Sequence, residues 1–496
     1  MSAILAIAPR TTAFLNRRHQ LWIDGNWREP SAGQYLDVLD PASGTAIAKT
    51  PLGDATDIDI AVRAARRSFS SGAWCRMPSS ERARVLWRFA DLVDANAKEL
   101  ADLEVLNNGM PLAFARWMIG GAAQWLRHYA GLTTQIYGKN ASGAMSGGGV
   151  EMHAYTANVP VGVAGLIVPW NGPSGTFLIK VAPALAAGCS VVMKPSELTP
   201  MSALWLAEIS AEAGLPPGVL NVIPGYGNVA GQALVDHPDV DKISFTGSTA
   251  VGKEVVRGAA ANLKRVTLEL GGKSPCIVFD DANLDAAIPG ASMAIFANSG
   301  QVCFAGSRLF VQKKSFDRVV AGVADFAKSL QVGSGFDPKT LVGPLISAKQ
   351  RERVQTYIES GRRDGAEVVT GGSAINGNGF FVQPTVFANA QADLKIVKEE
   401  IFGPVVIATP WSDLDDLIRV ANDTRYGLGS GIYTSNLSMA HKVADRLQAG
   451  NVWINGYGVM HPSMPFGGFK ESGWGRELST EGMEAYLEKK SVFITL

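Results

Sequence analysis

The sequence predicts an α/β protein with a doubly wound, mainly parallel sheet, and three observations carry that expectation. From Val161 onward, short β-branched runs alternate with amphipathic runs of ten or more residues. A second alternating region begins at Pro275 and continues past Val405. The residues before about 150 are helix-rich instead. Strands that alternate with long helical runs argue for βαβ units, because a parallel neighbour needs a crossover and the helix supplies it.

In order, VGVAGLIVP (161–169) reads as a buried strand and FLIKVAPALAAG (177–188) as an apolar helix. SVVMKP (190–195) is the next strand, and SALWLAEISAEAGL (202–215) is a helix closed by Gly214. VLNVIPG, a helix from Val229, the strand KISFTG, the helix VGKEVVRGAA and the strand RVTLEL complete the first region. PCIVFD, RLFVQ, AEVVTGG and VVIATP are strands of the second. Upstream, DIDIAVRAARRSFSSGAW and SSERARVLWRFADLVDANAKELADLEVL have helical periodicity. There is no internal repeat and no low-complexity linker.

A chain of 496 residues exceeds one hydrophobic core and implies two or three domains. Lys plus Arg equals Asp plus Glu at 45 each, which argues against a broad footprint for nucleic acid or an anionic membrane. The four cysteines (Cys75, Cys189, Cys276 and Cys303) lack C-x-x-C spacing, and the histidines lack metal spacing. We therefore expect free thiols, a reducing, cytoplasmic compartment and no metal. Ala154 to Ile179 carries no charge, but its prolines and glycines suit a strand running into a loop better than a membrane span. Residues 1–22 contain Arg10, Arg17 and Arg18 and no acid. They read as a frayed N-terminus, with a transit peptide as the weaker alternative.

Several stretches ask for a chemical explanation. FTGSTAVGKEV places Gly247 and Ser248 where a strand turns into a helix, either a plain turn or a pyrophosphate site at a helix N-terminus. Lys194 and Glu197, in VVMKPSE, end another strand, where they bond ribose hydroxyls or lie in a solvated loop. Cys303 sits among Gly300, Ala305, Gly306 and Ser307, which leaves its sulfur reachable. A packed free cysteine describes Cys189 and Cys276, inside apolar runs, but describes Cys303 poorly. Glu269 ends RVTLEL before Gly271-Gly272, where it pairs with Lys273 or serves as a general base to a thiol nucleophile. Asn171, in VPWNGP, carries an amide able to stabilise an oxyanion.

In order along the chain stand PWN (169–171), KPSE (194–197), FTGST (245–249), ELGGKSP (269–275), GQVC (300–303), EEIFGP (399–404) and PFGGFKESGWGRE (465–477). Together they resemble the NAD(P)-dependent aldehyde dehydrogenase superfamily, of the hydrolytic, non-acylating type. The likeness runs from LWIDGNW (21–27) to SVFITL (491–496).

The resemblance implies that Cys303 is the nucleophile, that Asn171 and the Cys303 N–H hold the oxyanion, and that Glu269 activates water. It adds Lys194 to the catalytic set. For the cofactor it implies Trp170, Lys194, Glu197, Gly227, Gly247, Ser248, Glu400 and Phe402. Glu197 would bond the adenosine ribose and repel the extra phosphate of NADP+, so NAD is expected, with NADP possible. The implied architecture is a cofactor domain (1–135 and 154–269), a catalytic domain (270–470) and an oligomerisation segment (136–153 and 484–496). TTQIYGK and GGVEMHAYT would be the two hairpin strands around a Gly-Ser turn, in a homodimer or homotetramer. Small-aldehyde relatives narrow their tunnel with aromatics; here Gly172, Ala297 and Gly458 leave volume, walled by Trp117, Phe177, Val302, Phe304, Met460 and Phe466. A bulky apolar aldehyde, aromatic or long-chain, is the expected small-molecule partner. A semialdehyde dehydrogenase (CoA-acylating or hydrolytic) and a catalytically silent relative with a binding or structural role are the alternatives.

Overall fold

The alternation from Val161 becomes an eight-stranded sheet in the order Gly473–Trp474, Arg265–Glu269, Lys242–Thr246, Val163–Ile167, Ser190–Lys194, Leu220–Val222, Leu21–Ile23, Asn26–Arg28. This computed structural model describes residues 6–145 and 149–496. The five central strands are parallel and the flanking ones antiparallel. The chain enters at Val163–Ile167, moves outward through two strands, then returns to the other side at Lys242–Thr246. Order therefore reverses between those two strands, which opens a crevice at their carboxyl ends.

Packing follows from composition. Val163–Ile167 and Ser190–Lys194 are buried at every residue, as expected for strands covered on both faces. The helix Pro173–Ala187 is apolar nearly all round and buried, so it is a core element. Pro173 starts it, and Gly188, at φ 98°, stops it in the left-handed region. A second, seven-stranded sheet holds Pro275–Val278, Arg308–Gln312, Glu367–Thr370, Thr385–Ala388, Val405–Trp411, Gly429–Tyr433 and Asn451–Ile454. Among the described residues, no helix is long and apolar enough to cross a membrane.

Two expectations need correction. The N-terminus is not frayed at Pro9–Leu15, which form a helix. Phe14 is buried there with its ring 4.6 Å from that of Trp205, and the Ala8 N–H donates to Asp102 at 2.7 Å. The upstream helical stretch is helical as expected, divided into Ser79–Ala95 and Ala97–Asn108 where the Asn96 amide folds back onto the Leu92 carbonyl at 2.8 Å. TTQIYGK is not a strand. Thr133 and Gln135 bond back to Tyr129 and Gly131 and finish the preceding helix, so the strand starts at Asn140. Asn140–Met145, Glu151–Pro160 and Leu487–Thr495 make a three-stranded antiparallel sheet. The expected Gly-Ser turn falls on 146–148, outside the described residues.

Candidate active site

Parallel register brings the predicted residues to one edge. Ile167 is level with both Phe245 and Lys194, and Thr246 with Glu269. The loop 168–172, Lys194, Gly247-Ser248 and Glu269 therefore lie along the carboxyl ends of adjacent strands, at the crevice. Ser248 caps the helix Thr249–Ala259 by accepting the Val251 N–H. Lys194 is buried and donates to the carbonyls of Pro195 (2.7 Å) and Gly225 (3.0 Å), with Glu197 at 3.9 Å. Burial pushes its amine down to about 8, against the pull of Glu197. Gly227 opens a helical turn and has free space where a side chain would stand. A dinucleotide fits this edge: a capped helix N-terminus for phosphate, an ammonium and a carboxylate for hydroxyls, and bare glycine backbone.

The Gly271-Gly272 pair has a steric explanation. A Cβ on Gly271 would lie 2.3 Å from a Glu400 carboxylate oxygen, and one on Gly272 would lie 2.3 Å from the Cys303 carbonyl oxygen. Bare backbone lets both approach, and the Gly272 N–H donates to Glu400 at 3.1 Å. Burial pushes the Glu400 carboxyl up to about 7, opposed by that N–H and by Arg353. Phe402 takes a left-handed φ of 61° and meets the Trp170 ring edge-on at 5.3 Å.

Cys303 follows a strained turn. Asn298, Ser299 and Gly300 have φ of 47°, 56° and 71°, and each non-glycine residue of this kind costs about 1–3 kcal/mol. Hydrogen bonds hold the turn: Asn298 Nδ2 to the Asn171 carbonyl (2.9 Å), Ser299 Oγ to the Gly343 carbonyl (2.7 Å) and the Ile346 N–H to Gln301 Oε1 (2.9 Å). The Tyr457 hydroxyl donates to the Phe304 carbonyl at 2.6 Å. The half-buried Cys303 thiol is pushed up by burial, then by the charges of Glu400 and Glu269. Asn171 Nδ2 donates to the Gln301 carbonyl at 2.8 Å, two residues before the sulfur. Its second N–H has no acceptor among the described residues.

Glu269 is buried, and its Oε2 has no partner among the described residues. Its carboxyl is held well above the ordinary carboxylate range by burial first and Glu477 second, with Lys180 and Arg476 opposing. Lys180 and Glu477 form a buried ion pair, and Lys180 also donates to Ser244 at 2.8 Å. Sequence reasoning missed this pair. The signal was present: a lone lysine in FLIKVAPALAAG, an apolar helix, needs a buried acid. The expected Glu269–Lys273 partnership does not form; Lys273 Nζ has no hydrogen-bond partner among the described residues.

The expected pocket divides. Phe304, the neighbour of Cys303, gathers Phe466 and Gly458, with its ring 5.7 Å from Phe466 and 5.5 Å from Trp453, while Met460 packs against the same hydrophobic cluster. Phe177 is fully buried and contributes no accessible surface, because its helix is wrapped on all sides. Val302 turns into the core under the second sheet, Ala297 opens the strained turn, and Trp117 is largely exposed beside Phe114. The volume expected at two glycines is partly occupied. A Cβ on Gly172 would lie 3.6 Å from Met118 Sδ, and one on Gly458 would lie 3.2 Å from the Phe304 ring. Met118 is a wall residue the sequence did not suggest.

The comparisons agree with this geometry. The aldehyde dehydrogenase family model matches residues 27–492. Phenylacetaldehyde dehydrogenase of Pseudomonas fluorescens is 45% identical, with 96% of each chain covered. The NAD+ complex of an aldehyde dehydrogenase from Bacillus cereus superposes with a TM-score of 0.97 at 43% identity, over 100% of each chain. AldA of P. syringae, an indole-3-acetaldehyde dehydrogenase solved with NAD+ and IAA, gives 0.95 at 41% identity, over 98% of each chain. The chain belongs to the aldehyde dehydrogenase family, and its reaction is the NAD-dependent oxidation of an aldehyde.

Proposed function

We propose that this enzyme oxidises bulky apolar aldehydes, arylacetaldehydes foremost, to their acids through a thioester on Cys303. One observation carries the reading: Phe304, Trp453, Tyr457 and Phe466 form an aromatic wall contiguous with the half-buried sulfur. The names of two relatives, a phenylacetaldehyde and an indole-3-acetaldehyde dehydrogenase, point the same way.

The chemistry assigns a task to each residue. Cys303 adds to the carbonyl carbon, and its proton passes to a base, a task we assign to Glu269, which with Glu400 is one of the two carboxyls whose charge reaches the thiol. A thiol held neutral needs such a base, and a carboxyl with a raised pKa is a stronger one. The free N–H of Asn171 and the Cys303 backbone N–H receive the oxyanion, each donor being worth about 3 kcal/mol. A nicotinamide held by Trp170, Glu400 and Phe402 would supply the hydride acceptor, and Cys303 would then carry the thioester. Glu269 passes the thiol proton to solvent and then takes a proton from water, whose oxygen adds to the thioester carbon, displaces the Cys303 thiolate and releases the acid. Lys194, Glu197, Gly227, Gly247 and Ser248 bind the adenosine half, and Trp170, Glu400 and Phe402 the nicotinamide half. We assign the first sheet to cofactor binding and the second to the nucleophile. The three-stranded sheet, with Phe493, Ile494 and Leu496 exposed on its last strand and chain end, mediates a dimer or a dimer of dimers.

The test is NADH formation over a panel from acetaldehyde to phenylacetaldehyde and long-chain aldehydes, with and without coenzyme A. The expected specificity constant is highest for the arylacetaldehyde and unaffected by coenzyme A. Preference for acetaldehyde would refute the pocket reading, and a requirement for coenzyme A would refute hydrolysis by Glu269.

A further inference from the structure

We infer that Glu104 and Asn108, on the buried helix Ala97–Asn108, are positioning residues that hold the Asn171 loop from both sides. The two lie one helical turn apart on the same face. Asn108 Nδ2 donates to the Trp170 carbonyl at 2.7 Å, just before Asn171. Glu104 Oε1 accepts the Ser174 N–H at 3.0 Å and the Ser174 hydroxyl, just after it. Both side chains are fully buried, although a carboxylate rarely is without a paired charge.

The helix Pro173–Ala187 explains why a distant residue is needed. Its N-cap is Gly172, which has no side chain to accept a first-turn N–H, and Pro173 has no N–H. Ser174 therefore carries the first orphan donor, and Glu104 caps it across the fold, with the Ser202 hydroxyl alongside the carboxyl. Neighbouring Asn107 does the same for the cofactor side, donating to the Leu198 carbonyl (2.7 Å) and accepting the Met201 N–H (3.2 Å). One helix end thus braces the loops after two adjacent parallel strands. Asn171 itself, between the two braced residues, is left with one N–H free for substrate.

The inference rests on Asn171 as the oxyanion donor. Glu104→Ala, Glu104→Gln, Asn108→Ala and, in parallel, Asn171→Ala are compared by stopped-flow NADH formation. Active sites are counted from the burst, and NAD+ affinity is read by fluorescence quenching. In Glu104→Ala, kcat per active site and kcat/KM are expected to fall together by about a hundredfold, as for a donor displaced by about 1 Å, with NAD+ affinity kept. Glu104→Gln keeps an acceptor for the Ser174 N–H and is expected to stay within a few-fold of the parent. A purely structural role would lower the number of active sites but not the rate per site. If Glu104→Ala does not fold, Asn108→Ala decides, with about a tenfold fall expected for a loop loosened at one end. Normal rates per site in the alanine variants, or an equal loss in Glu104→Gln, overturn the inference alone. A full rate in Asn171→Ala overturns it together with the oxyanion assignment.

Discussion

At the scale of single residues, the carboxyl of Glu269 is the group whose environment makes the clearest demand. Burial first and the Glu477 charge second hold it high, so in the proposed role of base it acts only above that elevated pKa. Glu269→Gln is expected to keep a first-turnover burst of NADH while the steady state falls about 10²–10⁴-fold, the usual contribution of a general base. An equal loss in both phases would show that Glu269 serves the thiol more than the water. Glu477→Gln removes the raising charge and leaves Lys180 uncompensated, and both effects lower the Glu269 pKa. The acid limb of the kcat–pH profile should therefore move to lower pH. The same change strands a buried cation, so a loss of about 3–5 kcal/mol in unfolding free energy should accompany it. An unmoved pH limb in the folded variant would exclude the coupling. Cys303, Glu269 and Asn171 were legible in the sequence because reactive residue types stood beside glycines and strand ends. Glu104 and Asn108 were not, because they act at 70 and 62 positions' remove, through hydrogen bonds to backbone.

Among elements, the fully buried strands Val163–Ile167, Ser190–Lys194 and Pro275–Val278 were the easiest to read, since burial on both faces makes each a short apolar run. Helix ends were harder. TTQIYGK looks extended, yet its first residues complete a helix through side-chain bonds that composition does not reveal. The pocket shows the same limit. Gly172 announces a missing side chain, but only the fold shows that Met118, on the helix Leu112–Leu132, reaches into that space. A thioether has three rotatable bonds and adapts at little cost. Met118→Ala should raise kcat/KM for the bulkiest aldehydes relative to acetaldehyde, by about 1–3 kcal/mol of discrimination at most. Gly172→Phe should reverse the preference. If Met118→Ala leaves the ratio unchanged, the methionine does not border the substrate.

For the whole molecule, the uneven distribution of apolar surface matters most. The strand Leu487–Thr495 ends in exposed Phe493 and Ile494, followed by Leu496, on a sheet that stands apart from the two large ones. Single exposed apolar residues are ordinary, and these neighbours, one on each face of the strand, are where the proposed subunit contact can be tested. Paired substitutions Phe493→Lys and Ile494→Lys should shift the enzyme to smaller species in sedimentation velocity while NAD+ still binds. An unchanged sedimentation coefficient would place the subunit contact elsewhere.

The strand that carries Glu269 has one further consequence. Its outer neighbour is Gly473–Trp474, paired with Leu268 and Glu269 from more than two hundred positions later in the chain. The parallel nucleotide-side strands can assemble on a nascent polypeptide as soon as residue 269 has emerged. Glu269, the proposed base, acquires its neighbours Gly473, Arg476 and Glu477 only after more than two hundred further residues have been added. Domains form in the order of translation, and long-range pairings come last. A ribosome-bound intermediate of this enzyme should thus bind dinucleotide before it can complete a turnover.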